Sequence, residues 1–296
     1  MSYLDTLLGL PLTALIAFPG IAFALEAEVP PLPSKIIFPL KIGEASLSIS
    51  DFEGAVTLLP ADGPGIVIEE TSGKSLGSIR LNQSGQHVMI RPAPEKKAGS
   101  DRPDKSARKR REDASQTETP VPATPTPPPP PASSLSLQIY LPSGSRLKIE
   151  NIPLLNARLA LGDTRIDVKN CQQFSLLEVS RLNFKAAGRC QMLVAKASSA
   201  DMDLLGAAKV QINELAGGEF AVNAKDSSSA TARGSFAEID VKTEDSSRVV
   251  TSGLVSGKFK ALALNSSLIG HNGPVRGKIS RKLSDTAQIN LSPIIK

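Results

Sequence analysis

Apolar residues fall at every second position in short runs along this chain, and Gly, Asp, Asn and Ser cut the runs. Leu47 and Ile49, then Val56 and Leu58, lie either side of Asp51-Phe52-Glu53-Gly54. Ile66 and Ile68 follow Asp62-Gly63-Pro64-Gly65, while Ile79 with Leu81 and Val88 with Ile90 flank Asn82 to Gln86. Farther on, Leu135, Leu137, Ile139 and Leu141 alternate with Ser136, Gln138 and Tyr140, and a Pro142-Ser143-Gly144-Ser145 turn leads into Leu147 and Ile149. A period of two between turn formers predicts half-buried strands. After the N-terminal apolar run no ten-residue stretch carries a helical period, so the chain reads as all-β.

Beyond Ile149 the spacing of the breaks becomes the signal. Small-residue breaks recur at Gly162, Ser180, Ser198-Ser199, Gly217, Ser246-Ser247 and Ser266-Ser267, at intervals of 18, 18, 19, 29 and 20. A period near 19 with short strands predicts a single-stranded parallel β-solenoid with coils of about 18–20 residues. The abundance of Ala, Ser and Asn and the scarcity of aromatics fit a narrow coil with little interior volume. Leu135 to Leu291 would make about eight coils, roughly 40 Å of stack at about 4.8 Å per coil. The interval of 29 marks an irregular coil over Asn223 to Ser235. An antiparallel sandwich or barrel, with strands every 8–12 residues or so, is the alternative.

Composition breaks the chain into parts. Of its 23 prolines, 11 lie between Pro92 and Ser134, with eight basic and six acidic residues and few apolar ones. Such a stretch cannot bury enough surface to offset its ordering entropy, so 92–134 reads as a disordered linker, stiffened toward polyproline II in its last third. Its Arg108-Lys109-Arg110-Arg111 cluster is flanked by Asp101, Asp104, Glu112 and Asp113, which reads as a solvated tether, with a basic-patch ligand site as the alternative. At the front, Leu7 to Ala24 carries no charge and ends Ala22-Phe23-Ala24 before Leu25-Glu26. That is the shape of a signal peptide cleaved near Ala24, although Asp5 stands where a positive charge is usual; an uncleaved membrane anchor is the alternative. Cleavage would leave a chain with no transmembrane segment. The expected division is 1–24 signal peptide, 25–91 N-terminal β coils, 92–134 linker insertion and 135–296 solenoid body.

From Leu137-Gln138-Ile139-Tyr140-Leu141 onward, coils such as those over 193–206, 210–224 and 238–253 resemble the GIN-domain family, described as auto-transporter adhesin heads. The resemblance covers roughly residues 135–291 and rests on loose Ser/Gly corners. It implies an exported parallel β-solenoid of unknown biochemical activity. In that family the strand before a Leu-Pro-Ser-Gly-Ser segment follows its predecessor closely, whereas here the linker parts them. Residues 92–134 then read as an insertion within one solenoid, and two modules joined by a linker are the alternative.

The net charge is +5, with 2 His, 2 Cys and no Trp. Zinc ribbons, iron–sulfur clusters and finger arrays need at least four ligands in fixed spacing, so no cofactor or metal is expected. Few aromatics and a small charge give no reason to expect specific nucleic-acid binding. Cys171 and Cys190 are 19 residues apart, one coil, which places them within reach of a disulfide or as two stacked buried thiols. His87, beside Val88, and His271, in Gly270-His271-Asn272-Gly273, read as solvated or turn histidines without catalytic partners. Asp201 and Asp203 project from one strand face and are the candidates for a ligand-binding surface, or for the acidic pair of a β-helix polysaccharide enzyme.

No nucleotide-binding or hydrolase motif is present, so no enzyme activity and no catalytic residue are expected. The expected function is an exported, periplasmic or cell-surface, adhesin-like binding or scaffold protein for envelope polysaccharide, peptidoglycan or an envelope protein. The alternatives are a carbohydrate-active β-helix enzyme and a structural solenoid that forms homo-oligomers through its ends.

Overall fold

The computed structural model describes residues 35–40, 45–73, 76–93 and 135–292. The signal peptide with its cleavage near Ala24, and the 92–134 linker apart from Pro92 and Ala93, lie outside the described residues. Eighteen strands form one continuous sheet. They are β1 (Lys35–Phe38), β2 (Ser46–Ser50), β3 (Ala55–Pro60), β4 (Ile66–Glu70), β5 (Ile79–Ser84), β6 (His87–Pro92), β7 (Ser136–Leu141), β8 (Arg146–Glu150) and β9 (Leu154–Val168). Then follow β10 (Gln173–Ala216), β11 (Glu219–Ala224), β12 (Ser229–Phe236), β13 (Glu238–Thr243), β14 (Arg248–Val255), β15 (Phe259–Ala263), β16 (Leu268–Asn272), β17 (Ile279–Leu283) and β18 (Gln288–Ser292).

The body is a parallel β-solenoid of about seven turns. Each turn contributes one rung to each of two ladders. Ladder A stacks β9, β10, β12, β14, β16 and β18, with Ser229 against Arg248, Arg248 against Leu268 and Leu268 against Gln288. Ladder B stacks β8, β9, β10, β11, β13, β15 and β17, with Phe220 against Ile239, Ile239 against Phe259 and Phe259 against Ile279. β9 and β10 run through both ladders because their bends scarcely interrupt pairing. Inward columns fill the space between ladders. On ladder A the column Val210, Ala230, Val249, Ile269 is buried; on ladder B, Phe220, Ile239 and Phe259 are fully buried. Phe220 and Phe236 meet edge to face at 5.8 Å across the coil, which is how so narrow a section accommodates aromatic rings.

Two corners, about half a coil apart, join the ladders. One carries Gly162, Gly217, Gly257 and Gly277. The other carries residues in the left-handed region: Asp51, Asn151, Gly188, Gly206, Asp226, Asp245, Asn265 and Asp285, the non-glycines at φ between 49° and 62°. Asx side chains tolerate this conformation and bond to their stacked neighbours, as Asn265 Nδ2 does to Asp245 Oδ1 at 2.8 Å and Asn151 Nδ2 to Asp51 Oδ1 at 2.9 Å. Two residues on, Ser228, Ser247 and Ser267 point inward, buried, and donate to corner carbonyls, Ser247 Oγ to Ala224 O at 2.9 Å and to Glu244 O at 2.8 Å. The expected irregular coil is therefore regular: Gly217 belongs to one corner and Ser246-Ser247 to the other, so 29 residues span a coil and a half. The missing break is Asp226-Ser227-Ser228.

The N-terminal end departs from simple coiling. β2 lies between β6 and β8, with Ser46 paired to both His87 and Arg146, and β3 lies between β7 and β9, with Ala55 paired to both Ser136 and Leu154. β4 runs antiparallel to β7 and β1 antiparallel to β4, while β5 and β6 form an antiparallel hairpin. The described residues of 25–91, the stretch read from sequence as N-terminal β coils, thus contribute one inserted coil and an antiparallel cap. This weave absorbs Leu135 to Glu150, and the count comes to about seven turns where eight were expected.

Cys171 and Cys190 are joined as a disulfide, their Cα atoms 4.5 Å apart on adjacent coils. His271 corrects its turn assignment. It lies in β16 at an inward position and is 3% exposed, because Gly270 and Asn272 point outward while the chain stays extended.

Candidate functional site

Outward residues of ladder B repeat every 17–20 residues and form lengthwise rows. One runs Lys148, Arg165, Asn183, Asp201, Ala221, Asp240, Lys260; its neighbour runs Glu150, Asp167, Lys185, Asp203, Asn223, Lys242. Charges of opposite sign recur along each row, and several close into ion pairs: Lys260 to Asp240 at 2.7 Å and Lys258 to Glu238 at 3.0 Å. Lys242 and Lys225 both reach Glu244, at 2.5 and 3.2 Å, and their bonds hold its carboxyl below the usual carboxylate range. Exposed pairs of this kind add little stability and chiefly set the pattern a ligand meets.

Asp201 and Asp203 sit side by side on this surface, each held by an asparagine of an adjacent coil. Asn183 Nδ2 donates to Asp201 Oδ2 at 3.4 Å, and Asn223 Nδ2 donates to Asp203 Oδ1 at 3.0 Å. The two differ in setting. Asp203 lines a shallow cleft of about 460 Å3 with Asp167, Lys185, Leu205, Asn223 and Lys225, whereas Asp201 lies outside it. The corner beside the cleft is built of Gly188 and Gly206 where later coils carry Asp or Asn, and it is tightly packed: a side chain at Gly206 would meet the Gly188 backbone at 2.9 Å. Leu205 contributes an apolar wall, 45% exposed.

Of the residues lining this cleft, the sequence reading singled out Asp203 and not Lys185 or Asn223. Lys185 and Asn223 stand 18 and 20 residues away, so the coil period is the signal that would have placed them beside it. On ladder A a second cleft of about 390 Å3 is lined by Gln173, Gln191, Lys209, Gln211 and Thr231, beside Leu193. Among the described residues no group of three or more His, Cys, Asp and Glu could hold a metal ion, and no helix is long and apolar enough to cross a membrane.

Solved structures with similar traces include a putative adhesin from Parabacteroides merdae ATCC 43184, 12% identical over 88% of this chain and 96% of its own, at a TM-score of 0.47. A putative adhesin from Parabacteroides distasonis ATCC 8503 is 8% identical over 87% and 94%, at 0.41. A putative lipid binding protein from the same strain is 12% identical over 88% and 97%, at 0.37. No family model and no curated protein matches the chain, so the GIN-domain likeness stands as a resemblance.

Proposed function

We propose that this protein is an exported, non-catalytic binding module that holds an extended, hydroxyl-rich envelope polymer along ladder B. The observation that carries the reading is the cleft around Asp203. A carboxylate, an amide, lysine ammonium groups and an exposed leucine converge there on a surface whose outward positions repeat with each coil. Carboxylate and amide groups bond hydroxyls, the leucine receives the apolar face of a sugar ring, and the rows set further polar and charged side chains beside them at a rise of about 4.8 Å per coil. Weak contacts multiplied along a polymer give retention by avidity. Export is supported by the disulfide, a feature of oxidising compartments, and by the Leu7 to Ala24 run.

The test is retention on peptidoglycan and neutral-glycan columns, followed by polymer sizing. The reading expects salt-sensitive retention, at least several-fold weaker in an Asp203→Ala, Asn223→Ala protein, with polymer length unchanged after incubation. Release of reducing ends that vanishes in an Asp201→Ala, Asp203→Ala protein would transfer the site to the carbohydrate-active enzyme reading. No retention on any envelope fraction would leave a structural role.

A further inference from the structure

The charge rows change character in the last coil. Lys258 and Lys260 are each matched by an acid one coil earlier, Glu238 and Asp240. Lys278 stacks on Lys258, Lys282 stands one rung beyond Leu262, and Arg276 and Arg281 join them, against Asp285 alone. Among the described residues none of these four cations forms an ion pair, and no strand pairs with the free edge of β17 or β18. The inward column makes the edge more selective still. Val241 and Ala261 fill it in the two preceding coils, and Arg281 takes the same place in β17. Ile279, at the position of Phe259, is only partly covered, and Leu283, at the position of Ala263, is 52% exposed.

We infer that the free edge of β17 is a docking site for an extended segment of a partner protein that reads apolar-x-acidic-x-apolar. Such a segment would add as the next rung, its main chain pairing with the unpaired amides and carbonyls of β17. Its apolar residues cover Ile279 and Leu283, and its central carboxylate meets Arg281. Further acidic residues answer Lys278 and Lys282, as Glu238 and Asp240 answer Lys258 and Lys260. Arg281 also decides against other occupants. An inward charge on an edge strand excludes any strand that would bury it unpaired. The outer strands of the other end, β1 (Lys-Ile-Ile-Phe) and β5 (Ile-Arg-Leu-Asn-Gln-Ser), carry no acid. Head-to-tail stacking of copies therefore leaves Arg281 without a partner, and tail-to-tail stacking sets the basic groups against their own kind. A polyanion or anionic lipid would satisfy the charges but neither the backbone edge nor the apolar positions.

The probe is a fluorescein-labelled peptide, Thr-Glu-Ile-Thr-Glu-Glu-Val-Thr, titrated with the full chain and followed by anisotropy. Saturable binding is expected, at least tenfold weaker when the three glutamates become lysines, with that preference reversed in an Arg281→Glu protein. Binding should survive Asp203→Ala, which separates this edge from the side cleft. Amide exchange over 279–283 should slow on saturation, a readout independent of whether Arg281→Glu folds; Lys282→Glu serves as a milder variant. Equal binding of both peptides, or no slowing of exchange at β17, overturns the proposal. So does concentration-dependent self-association abolished by Arg281→Glu, which would give the edge to a second copy, or binding to phosphatidylglycerol vesicles in place of the peptide.

Discussion

His271 Nδ1 lies 2.9 Å from Thr251 Oγ1, one coil away, and the other ring nitrogen, Nε2, is buried without a hydrogen-bond partner. The ring is wedged against Phe236 and Phe259, at 6.5 and 5.3 Å between centroids. Arg281 is the charged group bordering the cleft that His271 shares with the last coil. Burial pushes the imidazole pKa below its ordinary 6.5, and the Gly273 backbone opposes this in part. Because the folded value is the lower one, the unfolded chain binds more protons as pH falls below about 6.5, and stability is lost from there down through the folded pKa.

Thermal unfolding should therefore show the native protein losing stability between pH 7 and pH 5 relative to His271→Leu. Leucine is the residue at the equivalent position one coil on, Leu291. Near pH 7 the two should differ little, since the lost Thr251 bond and the relieved unpaired nitrogen are each worth about 1 kcal/mol. A gap that stays constant across this range would show that His271 is not the group responsible.

The Cys171–Cys190 bridge closes a loop of 19 residues, which in the chain-entropy account stabilises by roughly 3 kcal/mol. Both cysteines are buried, so no large native rearrangement should follow their loss. Cys171→Ser, Cys190→Ser should lower the unfolding midpoint and leave the circular dichroism of the folded state unchanged. Equal midpoints with and without reductant in the native chain would mean that the bridge does not form.

Gly253 has φ near 131°, and a Cβ there would fall 1.7 Å from the carbonyl oxygen of Gly234 on the preceding coil. Backbone meets backbone at this point, so no side-chain rotation relieves it. Gly253→Ala should cost about 3 kcal/mol or more, measured by denaturant unfolding. Gly63→Ala, where a Cβ meets nothing within 4 Å, is the control and should change stability by less than about 0.5 kcal/mol.

Much of this architecture was legible in the sequence, because period-two alternation and a 19-residue recurrence have direct structural causes. Leu135 to Leu141 alternate in burial as read, and Gly162 and Ser266-Ser267 do mark corners. Other features leave weaker traces. Strand direction is invisible to alternation, so Ile66 and Ile68 look the same in antiparallel β4 as they would in a coil. Pairing out of chain order is equally silent: nothing local says that Ala55 will sit between Ser136 and Leu154. His271 was misplaced because two glycines beside Asn suggest a turn, whereas Gly270 here only occupies an outward rung. The Asp203 cleft needed the register. Lys185, Asp203 and Asn223 become neighbours only once the corners at Gly188 and Gly206 are counted as well as those at Ser198-Ser199 and Gly217.

The weave at the N-terminal end makes the segments before and after the linker depend on each other. Leu47, Ile49, Val56 and Leu58 are at most 1% exposed, and their strands fill slots between β6 and β8 and between β7 and β9. A fragment starting at Leu135 would lack those rungs. β7 would have nothing joining it to β9, and buried faces of β8 and β9 would open to water. That fragment should unfold at a much lower midpoint than the full chain, or fail to unfold cooperatively. Shortening the linker should do the opposite. Ile49 pairs with Ile90 and Ala55 with Ser136, so the ends to be joined face the gap that Asp51 to Gly54 closes in the adjacent coil. Replacing Glu95 to Pro131 by a short Gly/Ser loop should leave the midpoint within a few degrees, since closure entropy changes only slowly with loop length. Calorimetry on both proteins decides: a 135–296 fragment as stable as the full chain would refute the interlocked arrangement, and loss of cooperativity on shortening would show that the replaced residues pack on the body.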